Sequence, residues 1–238
     1  MQKRWLIKSA VDDTTLEEFR SLLKVDKIVG TLLLQRGIQS FDEANLFFRP
    51  ELSQLHDPFL MKDLREAADR INSAIAANER ILLFGDYDVD GTTAVALMYT
   101  CLRKHYENVD FYIPDRYAEG YGVSYQGIDH AQAEGCALII SLDCGIRSVE
   151  HVAYAKSKNI DFIVCDHHNP GNELPDCLVL DPKRKDCPYP YKELTGNGVG
   201  FKLLQAFCTR TEMPIENLYE FLDLCVVSIG SDIVPITG

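Results

Sequence analysis

The sequence predicts an α/β fold, a mostly parallel sheet flanked by helices, with a small helical N-terminal segment ahead of it. Three observations lead there. Short, predominantly apolar runs recur at 81–84 (ILLF), 137–142 (ALIISL) and 161–165 (DFIVC), as expected of strands covered on both faces. Amphipathic stretches of helical length separate them, the alternation that builds βαβ units. Residues 1–78 show helical periodicity and no such runs. The chain therefore divides into a helical segment over 1–78 and an α/β domain over 79–238.

In the helical segment, LEEFRSLL (16–23), IVGTLLLQRG (28–37) and DEANLFF (42–48) are short amphipathic pieces, and LREAADRINSAIAAN (64–78) is a longer one. Gly37 reads as a helix C-cap, because glycine enters the left-handed region without a Cβ penalty. Ser40 and Asp42, on either side of Phe41, read as a helix start. Pro50 and Pro58 bracket a loop. From residue 80 the order is a strand at ILLF, a helix over 92–106, a strand over 109–113 and a glycine-rich loop through Gly122. A helix over 125–134, the strand ALIISL, a helix over 147–159 and the strand DFIVC follow. CLVLD (177–181) adds one more strand, and 198–209 and 215–228 read as helices. There is no internal repeat and no low-complexity tract.

Composition narrows the function. With 238 residues, 46% of them hydrophobic and 25% charged, the chain can build a sizeable core. It has 24 Lys plus Arg against 36 Asp plus Glu, a net charge of −12, which excludes a protein that coats a duplex through a uniformly basic surface. A local basic groove remains compatible, and part of the acidic excess suits metal ligands. No stretch approaches the ~20 apolar residues of a membrane span, and the N-terminus has no apolar run of signal-peptide length. A soluble, cytoplasmic protein with no membrane partner is expected. None of the eight cysteines forms a C-x-x-C pair, which argues against a zinc ribbon. Several lie inside apolar runs, as reduced, buried thiols do.

In an open parallel sheet, functional groups gather beyond the carboxyl ends of the strands. After ILLF comes Gly85-Asp86-Tyr87-Asp88-Val89-Asp90-Gly91, after ALIISL comes Asp143-Cys144-Gly145, and after DFIVC comes Asp166-His167-His168. In an extended segment Asp86, Asp88 and Asp90 point to one side, where they repel one another unless cations sit between them. A calcium EF-hand loop is excluded, because it needs an acidic residue where Leu97 stands. Each motif also has a plainer reading: an acidic turn with a helix N-cap, a strand-end Asp capping the next helix, or core histidines. Together the three strand ends supply five Asp and two His, a donor set suited to Mn²⁺ or Mg²⁺. Two such ions ~3.5–4 Å apart activate water for displacement at phosphorus. Neither a G-x-S-x-G elbow nor a G-x-x-x-x-G-K-[ST] loop is present.

These motifs resemble the DHH phosphoesterase superfamily, which includes manganese pyrophosphatases, exopolyphosphatases, oligoribonucleases and cyclic-dinucleotide phosphodiesterases. The strings GDYDVDGTTA (85–94), YIPDRYAEGYGVS (112–124), SLDCGI (141–146), CDHHNPG (165–171), LTGNGVGFKLLQAF (194–207) and DIVPITG (232–238) are similar to its single-strand-specific exonuclease branch. The resemblance implies a DHH phosphoesterase domain over 79–238 that degrades single-stranded DNA from 5′ to 3′ with two divalent cations, Mn²⁺ or Mg²⁺, in recombination and repair. It implies Asp88, Asp90, Asp143, His167 and Asp232 as metal ligands, with Asp86 and His168 as ligands or their close partners; which of them bridges the cations stays open. Asp88, Asp90, Asp143, His167 and His168 are the expected catalytic set. Arg116 is expected to grip a phosphate, the plainer reading being a salt bridge to Asp115 or Glu119, and Tyr121 to stack on a base or simply pack on the loop, while Gly198 lies at a helix start able to meet an anion or simply to pack tightly. Lys183, Arg184 and Lys185 read as a solvated turn, with contact to a DNA backbone as the alternative. The alternatives are a phosphoesterase acting on oligonucleotides, cyclic dinucleotides or pyrophosphate, and a non-catalytic binding module. The second core domain and OB-fold implied by the resemblance are absent from this sequence, so a truncated and inactive fragment is an expectation too. Single-stranded DNA is the expected partner; repair-protein partners and oligomeric state are not legible in the sequence.

Overall fold

Strands β1 (Arg80–Gly85), β2 (Val109–Tyr112), β3 (Cys136–Leu142), β4 (Asp161–Cys165) and β5 (Leu178–Leu180) form one sheet in a computed structural model that describes residues 4–236. Their order is β2-β1-β3-β4-β5, every pair parallel. The order reverses between β1 and β3, which opens a crevice at their carboxyl ends. The period-two alternation of a strand divides β1: Ile81 and Leu83 enter one core, Leu82 and Phe84 the other. Helices α4 (Leu64–Ala76), α5 (Val89–Arg103) and α8 (Gly196–Arg210) build the first core, and α6 (Tyr125–Ala133) and α7 (Val149–Ser157) the second. Both strand faces are buried, as the apolar runs require.

The chain forms two compact units, Met1–His56 and Asp57–Gly238. The first holds α1 (Asp13–Leu23), α2 (Lys27–Leu34) and α3 (Phe41–Phe48). Its local signals act as read. Gly37 has φ +82, and Ile38 beyond it donates to the Leu33 carbonyl to close α2. Ser40 and Glu43 form a reciprocal capping box at α3. The unit boundary differs from the one at residue 78. Helix α4 has the same amphipathic look as the leader helices, but its Ile71 and Ala74 are fully buried in a core shared with Leu83 and Leu203. It belongs with the sheet.

Three further differences are local. Helix α5 starts at Val89, three residues before the expected 92, because Asp88 Oδ1 accepts the Gly91 amide at 2.9 Å and caps the helix there. Gly91 permits this, since a Cβ would stand 2.6–2.8 Å from the Asp86 backbone. Helix α8 likewise starts early, at Gly196, under a Thr195 cap. The expected helix over 215–228 is a 3₁₀ segment, Ile215–Phe221, running into α9 (Leu222–Asp232). All eight cysteines are free, six of them buried. No helix of the described residues is long and apolar enough to cross a membrane.

Candidate metal centre

A row of buried aspartates continues the sheet past its carboxyl edge. The Asp86 amide donates to Leu142 O, Asp143 to Cys165 O and Asp166 to Leu180 O, so each residue extends a ladder by one rung. Asp86, Asp143, Asp166 and, after β5, Asp181 are all at most 1% exposed. The sheet thus fixes four carboxylates side by side where the dielectric is low and their charges are costly.

Asp86, Asp88 and Asp90 do not share one side as an extended segment would. Helix α5 begins between them and divides them. Asp86 Oδ1 accepts the Tyr87 amide at 2.8 Å, and burial, aided by the charge of Asp88, raises its pKa. Asp88 is the α5 N-cap, so part of the plainer reading holds alongside its place in the cluster. Asp90 turns inward to α8: its oxygens accept the Gly196 amide at 2.7 Å, the Asn197 amide at 2.8 Å and the Ser228 hydroxyl at 2.8 Å.

His167 stands at the centre. Its Nε2 is 3.1 Å from Asp143 Oδ1, 3.6 Å from Asp90 Oδ2 and 3.6 Å from Asp232 Oδ2. None of these contacts has hydrogen-bond alignment, and both ring nitrogens of His167, together with Asp143 Oδ1 and Asp86 Oδ2, are buried without a partner. Burial, reinforced by the charges of Asp90, Asp88 and Asp166, pushes the Asp143 carboxyl up to about 10. Donor atoms of Asp86, Asp88 and Asp143 lie within 4.8 Å of one another, as do those of Asp90, His167 and Asp232, and those of Asp143, His167 and His168. Unpartnered buried oxygens and nitrogens that converge without bonding one another fit divalent cations, which satisfy such atoms where no proton does. All seven residues expected as ligands are brought together here.

The family described as DHH family, N-terminal domain, matches residues 80–229, the sheet and all its flanking helices except α4. The chain belongs to the DHH family. The single-stranded-DNA-specific exonuclease RecJ of Bacillus subtilis is 41% identical over 98% of this chain and 29% of its own length. RecJ of Escherichia coli is 36% identical over 88% of this chain and 37% of that protein. The chain thus spans about a third of the length of the curated relatives it matches. RecJ of Thermus thermophilus in complex with Mn²⁺ superposes with a TM-score of 0.81 and 29% identity, covering 99% of this chain and 33% of that one. An exonuclease RecJ bound to manganese gives 0.68 and 35%, covering 75% of this chain and 45% of that one.

The histidines of this DHH domain are held differently. Asp166 Oδ1 accepts the His167 amide at 2.7 Å, the His168 amide at 3.1 Å and His168 Nδ1 at 2.7 Å, while its Oδ2 accepts the Ile146 amide at 2.8 Å. Despite burial, which opposes it, these bonds hold the Asp166 carboxyl below its ordinary pKa. The bond to Asp166 in turn raises the pKa of His168. Asp166 therefore anchors the backbone of both histidines and orients the His168 ring, with each of its oxygens already accepting a hydrogen bond. Tyr121 Oη lies 3.2 Å from His168 Nε2.

The expected phosphate and DNA contacts fare unevenly. The Arg116 guanidinium lies over the Tyr87 ring, 5.2 Å from its centroid, and makes no ion pair among the described residues. Asp115 and Glu119, its expected alternative partners, are occupied by amides and hydroxyls of their own loop. Tyr121 packs edge-on against Tyr87 and is half exposed. Gly198 is different: its amide donates to Thr195 Oγ1 at 3.0 Å, and the adjacent amides hold Asp90. The anion at the α8 N-terminus is the protein's own carboxylate, as the helix dipole favours, which takes Gly198 out of phosphate binding. The glycine essential there is Gly196, where a Cβ would stand 2.5 Å from Asp143 Cβ.

Sequence reasoning missed Thr195, Asn197 and Ser228 around Asp90, and Asp181 on the neighbouring strand. Asp181 Oδ1 accepts the Lys183 amide, and burial raises its carboxyl to about 7. Asp181 could have been found by its position alone, the first residue after an apolar strand. Ser228 gives no signal, since one serine in an apolar helix is unremarkable. Thr237 and Gly238, the end of the DIVPITG string, lie outside the described residues.

Proposed function

We propose that this chain provides the cation-binding half of a nuclease that hydrolyses phosphodiester bonds of single-stranded DNA from the 5′ end, in the cytoplasm, in recombination and repair. The observation behind this reading is the convergence of three overlapping groups of carboxylate and imidazole donors on His167 and Asp143, several of them buried and unpartnered. Mn²⁺ or Mg²⁺ held there supplies Lewis acidity to the phosphate and lowers the pKa of the attacking water.

The residues divide the work. Asp86, Asp88 and Asp143 would hold one cation, and Asp90, His167 and Asp232 the other. Asp143 and His167 each belong to two of the three groups and join the two halves. Asp166 holds the His168 ring through Nδ1 and raises its pKa, with the Nε2 edge turned to Tyr121, where it can donate to a phosphate oxygen or a departing one. Arg116, free of carboxylate partners and braced by Tyr87, is the phosphate clamp. Tyr121 offers a ring face beside it for a base.

The test is hydrolysis of 5′-labelled single-stranded DNA with Mn²⁺, comparing this chain with a C-terminally extended one and including pyrophosphate and cyclic dinucleotides as competitors. Release of mononucleotides from the 5′ end, with pyrophosphate and cyclic dinucleotides spared, supports the proposal. Turnover of the small substrates and not of DNA overturns it.

A further inference from the structure

The two oxygens of Asp90 are treated unequally. Its Oδ1 accepts two bonds, from the Asn197 amide and the Ser228 hydroxyl, each at 2.8 Å, which fills the two lone-pair directions of that oxygen. Its Oδ2 accepts one, from the Gly196 amide at 2.7 Å, and faces His167 Nε2 at 3.6 Å. One lone pair therefore remains, and it belongs to the oxygen on the site side.

Ser228 is completely buried and meets three elements. It belongs to α9, bonds Asp90 of α5, and lies 2.6 Å from Thr195 Oγ1 at the start of α8. The Ser228 proton goes to the carboxylate, the stronger acceptor. The Thr195 contact is then the threonine hydroxyl donating to Ser228 while its oxygen accepts the Gly198 amide. A relay of donors, Gly198 to Thr195 to Ser228 to Asp90, polarises in one direction towards the negative charge. Ser228 also lies four residues before Asp232 on α9, and residues i and i+4 share a helix face. The Asp232 carboxylate, 3.6 Å from His167 Nε2, hangs from the same face that Ser228 fastens.

We infer that Ser228 is a positioning residue of the cation site, which saturates Asp90 Oδ1 so that Oδ2 is the oxygen presented, and fastens α9 so that Asp232 meets the same cation. This rests on the reading of Asp90 and Asp232 as cation ligands. Ser228→Ala leaves Asp90 Oδ1 its Asn197 amide and Thr195 Oγ1 its Gly198 amide, and costs one neutral donor, the Thr195 hydroxyl proton, its acceptor, a loss that the fold survives. Ser231→Ala is the control, because its hydroxyl bonds only the Ser228 carbonyl, at 2.9 Å, on the same helix.

Two measurements on the full chain test it. Without metal, hydrogen exchange of the last turn of α9 accelerates about tenfold in Ser228→Ala while α5 is unchanged. By calorimetry, Mn²⁺ binds Ser228→Ala about 10- to 100-fold more weakly than wild type, Ser231→Ala binds as wild type does, and Ser228→Cys, a weaker donor of similar size, falls between. Wild-type exchange and wild-type Mn²⁺ affinity in Ser228→Ala overturn the inference and leave the nuclease proposal standing. Absence of Mn²⁺ binding by the wild type overturns both.

Discussion

Replacing Asp143 by asparagine should stabilise the metal-free protein while abolishing its response to Mn²⁺. Asp143 is 1% exposed, and its carboxyl is raised from 3.8 to about 10, first by burial and then by neighbouring carboxylates. At neutral pH the folded protein holds this proton and the unfolded chain has released it. The stabilisation that this proton represents is complete below pH 3.8 and is lost progressively as pH rises towards 10, at about 1.4 kcal/mol per pH unit. Between the unfolded value and pH 7 the ceiling is about 4 kcal/mol; water entering the site reduces it, and a gain of about 1–2 kcal/mol is expected. Asparagine does not ionise, and its amide can donate to His167 Nε2, now 3.1 Å from Oδ1. Urea unfolding in a chelator from pH 4 to 8 measures the effect. The variant should be the more stable near pH 7–8, the gap closing towards pH 4. A variant less stable at pH 7, or a difference that ignores pH, would refute the reasoning.

The same raised carboxyl means that Mn²⁺ binding at pH 7 displaces about one proton, read by calorimetry in buffers of different ionisation enthalpy. In an active, extended protein, Asp88→Ala and His167→Ala should each remove hydrolysis while costing stability little, about 1 kcal/mol for the lost α5 cap in the former; DNA turnover and denaturation on the same samples separate the two effects. Asp166→Ala removes the acceptor of four hydrogen bonds and should cost about 3–5 kcal/mol, with the His168 ring proton resonance titrating at lower pH than in wild type. Gly91→Ala forces a methyl against the Asp86 backbone and should cost about 1–3 kcal/mol, visible as a lowered melting temperature.

The sheet was legible because few folds other than a parallel sheet bury short apolar runs between amphipathic helices, and because strand ends are where such a sheet collects its chemistry. Every strand lies within a residue or two of its apolar run. Helix starts were less legible. Asp88 and Thr195 cap α5 and α8 earlier than hydrophobic periodicity suggests, since the first turn of each is rich in Asp, Gly and Asn. Helix α4 was assigned to the leader because amphipathicity reveals that a face is buried, not what buries it. At the metal centre, the residues next to strands were visible in the sequence. Asp232 was reached only through resemblance, and Ser228 and Asn197 not at all, because their partners lie more than a hundred residues away. The expectation of an anion at the α8 N-terminus was right in physics and wrong in identity: the anion is Asp90.

The span between Asp90 and the hydroxyl that orients it is 138 residues. During synthesis the β-sheet and its row of aspartates emerge and can fold well before α9 leaves the ribosome. Until then the nascent chain holds an incomplete cage for its cations. The donor cluster is thereby completed only when α9 brings Ser228 and Asp232 to the aspartates of the sheet edge.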